Sequence, residues 1–220
     1  MNILGIDTST DNCSVGLVTD GEIVARNAQI GRSMASEHLL VLVDEMLKKT
    51  VPMEAIDAIA ISIGPGSYTG LRIGLATAKG LAYPRKLPLL PVPTMTILER
   101  AARQTIDSDL VVVIKSHRDL AYHTLFQKDQ NMDIDSMVIG YDTFADIYRR
   151  YGNRYPIISP SDIRDNVLRI DKTVYPEGDI AALLGFHHYS RLTVRNREEL
   201  EPLYLSEFEV KKWKENPKSG

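Results

Sequence analysis

The chain has 220 residues, 44% of them hydrophobic, with 26 basic and 29 acidic side chains and a net charge of −3. Its length suits one large or two small domains with a proper core. The near balance of charge excludes a general attraction to nucleic acid or to an anionic membrane. The single cysteine, Cys13, excludes an internal disulfide, and the start of the chain shows no signal-peptide pattern. No apolar stretch is long enough to span a membrane, so we expect a soluble, cytoplasmic protein.

The first half of the chain alternates strand and helix patterns. The expected strands span 3–7, 13–18, 23–28, 56–63 and 87–92. Asp20-Gly21 is a hairpin-turn signal between the second and third strands. Helices are expected from a cap at Ser36 to Lys49, over 68–83, and from a cap at Thr94 to Arg103. This order predicts a ribonuclease-H-like α/β unit, in which three antiparallel strands are extended by parallel ones.

The second half reads as an abbreviated copy of the first. Its expected strands span 110–114, 120–126, 137–139 and 156–159, and its expected helices 144–151 and 179–189. The tail over 211–220 is polar and is expected to fray. We therefore predict two α/β halves, an N-terminal domain over 1–106 and a smaller C-terminal domain over 107–220.

A glycine-rich segment over 59–83 is the most informative part of the chain. It runs from an apolar strand through Gly64-Pro65-Gly66-Ser67 into a helix. Glycines between a strand and a helix let the backbone approach a ligand or another backbone closely, and the helix start offers unpaired N–H groups. The spacing matches neither the dinucleotide-binding fingerprint nor the Walker A loop.

Small residues recur every fourth position within the glycine-rich helix. Gly70, Gly74, Ala78 and Ala82 therefore lie on one smooth stripe. Glycine inside a helix costs roughly 1 kcal/mol relative to alanine, so the stripe needs a structural reason. It either packs tightly on its own sheet or receives another helix, and the pattern alone leaves both explanations open.

Four segments of the chain carry a resemblance to one family. They are Ile6-Asp7-Thr8-Ser9-Thr10, Ser36-Glu37-His38, the run from Gly64 to Gly74, and Glu201-Pro202-Leu203-Tyr204-Leu205. With them the chain resembles the TsaB (YeaZ) family, which has the fold of acetate and sugar kinases, Hsc70 and actin. The resemblance implies two ribonuclease-H-like halves of that type, the second abbreviated.

The resemblance also implies a function. Proteins of this family take part in forming N6-threonylcarbamoyladenosine at position 37 of tRNAs that read codons beginning with A. They act as non-catalytic partners of TsaD, together with TsaE, and form homodimers when alone. We accordingly expect tRNA contact only through the complex, no membrane association and no cofactor. The expected interface comprises Leu39, Leu42, Val43, Met46, Gly66, Ser67, Tyr68, Thr69, Gly70, Arg72, Ile73, Gly74, Thr77, Ala78 and Leu81.

Two enzymatic alternatives belong to the same superfamily. A small-molecule kinase would use Asp7, Thr8 and Ser9 as one phosphate arm, but the second half has Lys115-Ser116-His117-Arg118 in place of an Asp-Gly-rich hairpin. Many TsaB-like chains have Asp-Ala-Arg near this position, so the segment is also a departure from the family. A metallopeptidase would need a histidine pair at i, i+4, and residues 94–98 contain none. We therefore expect a degenerate phosphate loop, no catalytic residue and no metal.

Overall fold

The computed structural model of the protein describes residues 1–31, 33–129, 137–161, 163, 167–194 and 196–205. The described strands form two five-stranded sheets. The strands are β1 (Asn2–Asp7), β2 (Asn12–Thr19), β3 (Glu22–Ile30), β4 (Ala58–Ser62), β5 (Leu89–Val92), β6 (Leu110–Lys115), β7 (Leu120–Phe126), β8 (Gly140–Thr143), β9 (Ile157–Ser159) and β10 (Lys172–Thr173). The helices are α1 (Met34–Lys49), α2 (Tyr68–Ala82), α3 (Thr94–Ala102), α4 (Phe144–Tyr151), α5 (Gly178–His187) and α6 (Tyr189–Leu192), and a short 3-10 turn spans Met53–Ala55.

The first sheet has the strand order β3-β2-β1-β4-β5. β1, β2 and β3 pair antiparallel, whereas β4 and β5 run parallel to β1. Asp20 and Gly21 both have positive φ, as a tight hairpin between β2 and β3 requires. β4 is buried along its whole length, which explains its continuous apolar sequence.

The second sheet repeats this topology, with the order β8-β7-β6-β9-β10. β6, β7 and β8 pair antiparallel, and β9 and β10 extend the sheet in parallel. The hairpin expected between 110–114 and 120–126 is present as β6 and β7. The predicted fold of two ribonuclease-H-like halves is therefore confirmed.

Each half contributes a helix to the other half's core. α1 and α2 cover one face of the first sheet, and α5 covers the opposite face. α3 packs on the second sheet against strands β6 and β9, while α4 covers its other face. Close approach of α5 requires glycine, because a Cβ on Gly5 would lie 1.8 Å from the carbonyl oxygen of Gly178.

Three local predictions need correction. α1 begins at Met34 after Ser33, two residues before the predicted cap at Ser36, because Met34 and Ala35 already pack on the core. Thr94 is the first residue of α3 rather than its cap, which is Pro93. The third strand of the second half is Gly140–Thr143, not 137–139.

The predicted polar tail over 211–220 lies outside the described residues. Among the helices that the structure describes, none has the length and apolar character needed to cross a membrane.

Candidate partner-binding surface

The turn after β1 is closed rather than open to ligands. Asp7, Thr8 and Ser9 have at most 1% of their surface exposed. The Asp7 carboxylate accepts hydrogen bonds from the backbone N–H and the hydroxyl of Ser9, both at 3.0 Å. The Thr8 hydroxyl donates to the carbonyl oxygen of Gly70 at 2.8 Å. The polar groups of this phosphate-loop-like turn are thus used within the fold.

Burial changes the acidity of Asp7. Desolvation raises the pKa of its carboxyl from 3.8 to about 6, and interactions with Ser62 and Ser9 oppose part of the rise. The Ser62 hydroxyl has no partner of good hydrogen-bonding geometry among the described residues, so we regard its contact with Asp7 as weak. Because Asp7 is completely buried and its carboxylate already accepts from Ser9, it is not presented to a ligand from solvent.

The glycine stripe of α2 packs on this same turn. A Cβ on Gly70 would lie 2.0 Å from the carbonyl oxygen of Thr8, and a Cβ on Gly74 would lie 2.1 Å from the Thr8 hydroxyl oxygen. Ser67 caps the helix by accepting from the Gly70 N–H, and its own N–H donates to the carbonyl of Ser9 at 2.7 Å. The stripe therefore serves close packing within the chain, the first of the two explanations open from the sequence.

Several positions assigned to the interface are consequently buried in the monomer. Seven of them face the protein's own interior. The apolar side of α1 and Ala78 of α2 pack in the core of the first half, and the two glycines of α2 pack on the turn after β1. The seven are Leu39, Leu42, Val43, Met46, Gly70, Gly74 and Ala78. In the monomer these positions are buried within the chain, and their assignment to a partner interface stays a prediction.

Other predicted interface positions do reach the surface. Ser67, Tyr68, Thr69 and Arg72 are exposed, and Gly66, Ile73, Thr77 and Leu81 are half-buried. Several further positions on the same two helices, which the sequence pattern did not indicate, are also exposed. Leu40 and Val41 of α1 have 59% and 48% of their surface exposed, and on α2 Ala76 is exposed and a Cβ on Gly80 would meet nothing within 4 Å.

These exposed and half-buried positions define the surface that we call the outer helix face. It comprises Leu40, Val41, Thr69, Ile73, Ala76, Thr77 and Gly80. Helical phase could have identified its α1 part: Leu39, Leu42, Val43 and Met46 follow the core-facing spacing, and Leu40 and Val41 do not. Leu40 and Val41 are its large exposed apolar side chains, and apolar side chains exposed side by side are typical of interaction surfaces.

A segment near the end of the described chain lies beside α2. The N–H of Leu203 donates to the carbonyl of Ile63 at 2.7 Å, and the Lys79 ammonium donates to the carbonyl of Glu198 at 3.0 Å. Leu200 packs on the core of the first half. The closing motif quoted from the sequence therefore borders the glycine loop and α2.

The turn between β6 and β7, where a kinase of this fold would have its second phosphate arm, carries basic side chains in place of an Asp-Gly-rich sequence. Lys115 at the end of β6 is exposed, as are His117 and Arg118 in the turn that follows. The Nδ1 atom of His117 lies 3.3 Å from the hydroxyls of Ser116 and Tyr141. Within the described ranges, no three histidine, cysteine or acidic side chains are arranged to hold a metal ion.

Comparison with known proteins identifies the family. A model described as "TsaD: tRNA N6-adenosine threonylcarbamoyltransferase" matches residues 30–162. The chain is 35% identical to a protein of Escherichia coli over 132 residues, which cover 60% of this chain and 57% of that protein. It is 34% identical to a protein of Haemophilus influenzae over 113 residues, which cover 51% of this chain and 48% of that protein. Both carry the name tRNA threonylcarbamoyladenosine biosynthesis protein TsaB. The chain belongs to the TsaB (YeaZ) family.

A solved structure extends this likeness to both halves of the chain. YeaZ from Pseudomonas aeruginosa superposes with a TM-score of 0.74 at 25% sequence identity, covering 93% of this chain and 100% of that one. By sequence, in contrast, the matched segment spans only about half the length of the curated TsaB relatives. The two ribonuclease-H-like halves are thus a property shared with the YeaZ structure, while sequence identity with the curated relatives is confined to part of the chain.

Proposed function

We propose that this protein is a non-catalytic subunit of the machinery that forms N6-threonylcarbamoyladenosine in tRNA. It binds a TsaD-like transferase through the outer helix face, and a TsaE-like ATPase completes the complex. Membership of the TsaB family supports the pathway, and the exposed Leu40 and Val41 support the surface. The proposal places the protein in the cytoplasm, with tRNA contacted through the complex.

The closed turn at Asp7 supports the absence of catalysis. A kinase must bring two phosphate arms and a metal to the transferred group. Here the first arm is fully buried and already hydrogen-bonded to Ser9. The turn between β6 and β7 presents Lys115 and Arg118 beside a single carboxylate, Asp119, and among the described residues no three such ligands are grouped to hold a metal. Kinase and peptidase functions therefore lack support from the described residues.

The outer helix face has the features of a docking surface. Its apolar members are large on α1, and on α2 the exposed Ala76 and Gly80 are small, so a partner helix could approach α2 closely at these two positions. The same face would serve homodimers of this chain, which would make self-association and transferase binding mutually exclusive.

The test is complex formation between purified proteins, measured by analytical ultracentrifugation. Val41→Glu and Gly80→Arg place a charge on the outer helix face without entering the core, so both should remain folded and lose binding to the transferase. Val138→Glu is the matched control, because Val138 is 81% exposed in the second half. Full binding by folded Val41→Glu and Gly80→Arg would overturn the proposed surface.

A further inference from the structure

Arg72, near the start of α2, stacks on Tyr68 of the same helix and contacts Tyr204 from the end of the described chain. The guanidinium carbon of Arg72 lies 4.2 Å from the ring centroid of Tyr68 and 5.9 Å from that of Tyr204. Its Nε donates to the Tyr204 hydroxyl at 3.0 Å, and the two tyrosine rings lie 5.2 Å apart. We call these three residues the Arg72 cluster.

The cluster fixes the direction of the guanidinium while leaving most of its donors unused by the described residues. An arginine carries five N–H donors in a planar fork, and within the described part of the chain only Nε of Arg72 is engaged. In the part of the chain that the structure describes, neither Nη nitrogen of Arg72 has a hydrogen-bond partner or a carboxylate within salt-bridge distance. Tyr204 and, more weakly, Glu201 raise the pKa of Arg72, so the cluster is cationic at every physiological pH.

The cluster is accessible and lies among both apolar and charged side chains, the charged ones being Lys79 and Glu201. Tyr68, Tyr204 and Leu205 have 39%, 42% and 41% of their surface exposed. Arg72 itself is exposed and borders Ala76 of the outer helix face. An arginine stacked on tyrosines beside an exposed leucine has the composition of a binding hot spot.

We propose that the Arg72 cluster is a preorganised receptor for a carboxylate side chain of the TsaD-like transferase. The free Nη edge matches the two oxygens of an aspartate or glutamate. Stacking on Tyr68 and the bond to Tyr204 hold the guanidinium in place before binding, which lowers the entropic cost of forming the pair. Tyr204 acts as a positioning residue, and the terminal segment thereby becomes part of the recognition surface. This inference rests on the proposed function, because it names the chemistry of that partner's contact.

The experiment measures affinity for the full-length transferase in the same ultracentrifugation assay. Arg72→Glu should weaken binding by at least about 30-fold, the range of an interface hot spot. Arg72→Lys keeps the charge but loses the fork and the stacking, and should still weaken binding about tenfold. Arg100→Glu is the matched control, because Arg100 is an exposed arginine on α3.

Tyr204 variants separate positioning from folding. Tyr204→Phe removes only the hydroxyl that accepts from Nε, and Tyr204→Ala removes the stacking as well, so the loss of affinity should increase in that order. Circular dichroism should show that all variants melt within a few degrees of the unchanged protein. Equal affinity for Tyr204→Ala and the unchanged protein would contradict the positioning role.

A charge reversal identifies the carboxylate directly. Each exposed acidic residue of the transferase is changed in turn to arginine and tested against Arg72→Glu. Restored affinity for one such pair would confirm the receptor, since a structural role of Arg72 cannot produce rescue. Undiminished binding by Arg72→Glu, while Val41→Glu abolishes the complex, would overturn this inference and leave the proposed function standing. Failure of the unchanged protein to bind the transferase would instead overturn the proposed function.

Discussion

Replacing Asp7 by asparagine should stabilise the protein at neutral and alkaline pH. Asparagine keeps an oxygen that accepts from the Ser9 N–H, now 3.0 Å from Asp7, and it removes a charge from a site that is completely buried. The closed turn and the packing of α2 should therefore be preserved. The variant isolates the cost of ionising this carboxyl.

The size and sign of the effect follow from the pKa of Asp7, which folding raises from 3.8 to about 6. The folded state binds this proton more tightly, so the stabilisation is complete below pH 3.8 and is lost as the pH rises towards 6. At 1.36 kcal/mol per pKa unit, the free energy of unfolding falls by about 3 kcal/mol across that window. The carboxamide of the Asp7→Asn variant does not titrate, so the variant escapes this loss.

Urea denaturation at matched pH values tests the prediction. The free energy of unfolding of Asp7→Asn minus that of the unchanged protein should rise by about 2 kcal/mol between pH 4.5 and 7, and then stay level to pH 8. Other titrating groups cancel in this difference. Asp11→Asn, at an exposed position four residues away, controls for the loss of one negative charge. A difference constant within about 0.5 kcal/mol from pH 4.5 to 8 would refute the reasoning.

Three further predictions follow from the packing and from the site chemistry. Gly74→Arg should lower the free energy of unfolding by more than about 3 kcal/mol, because its Cβ alone would meet Thr8 and Ile61. Gly80→Arg is the control and should melt at the temperature of the unchanged protein. A lower melting temperature for Gly80→Arg than for Gly74→Arg would show that the stripe faces outwards. Untagged protein should contain no stoichiometric metal, and elemental analysis finding about one zinc or iron per chain would contradict this. The protein alone should hydrolyse ATP well below about 1 s⁻¹; faster turnover that Asp7→Asn abolishes would restore the kinase alternative.

The strands were predictable because burial imposes simple patterns on them. The apolar run over 56–63 marks the fully buried β4, and Asp20-Gly21 marks the hairpin between β2 and β3. Helix starts were less certain. Ser36 looked like a cap, but its hydroxyl donates to the carbonyl of Ser33 within the first turn, and the packing of Met34 decides where the helix begins.

The direction in which each helix faces could not be read from local sequence. A stripe of small residues at Gly70 and Gly74 suits a neighbouring helix and a neighbouring loop equally well. The deciding contact joins Gly70 to Thr8, which are 62 positions apart in the chain. Likewise, nothing local connects Arg72 with Tyr204, 132 positions away. Such long-range pairs define the candidate surface, and they cannot be predicted from the local patterns of a single sequence.

The central claim is that the outer helix face is needed to assemble the tRNA-modifying complex. Its most direct test is the yield of N6-threonylcarbamoyladenosine in a reconstituted mixture with TsaD-like and TsaE-like proteins, tRNA and the threonylcarbamoyl donor. We predict that folded Val41→Glu abolishes the product and that Val138→Glu supports as much as the unchanged protein. Full modification in the presence of folded Val41→Glu would contradict the account.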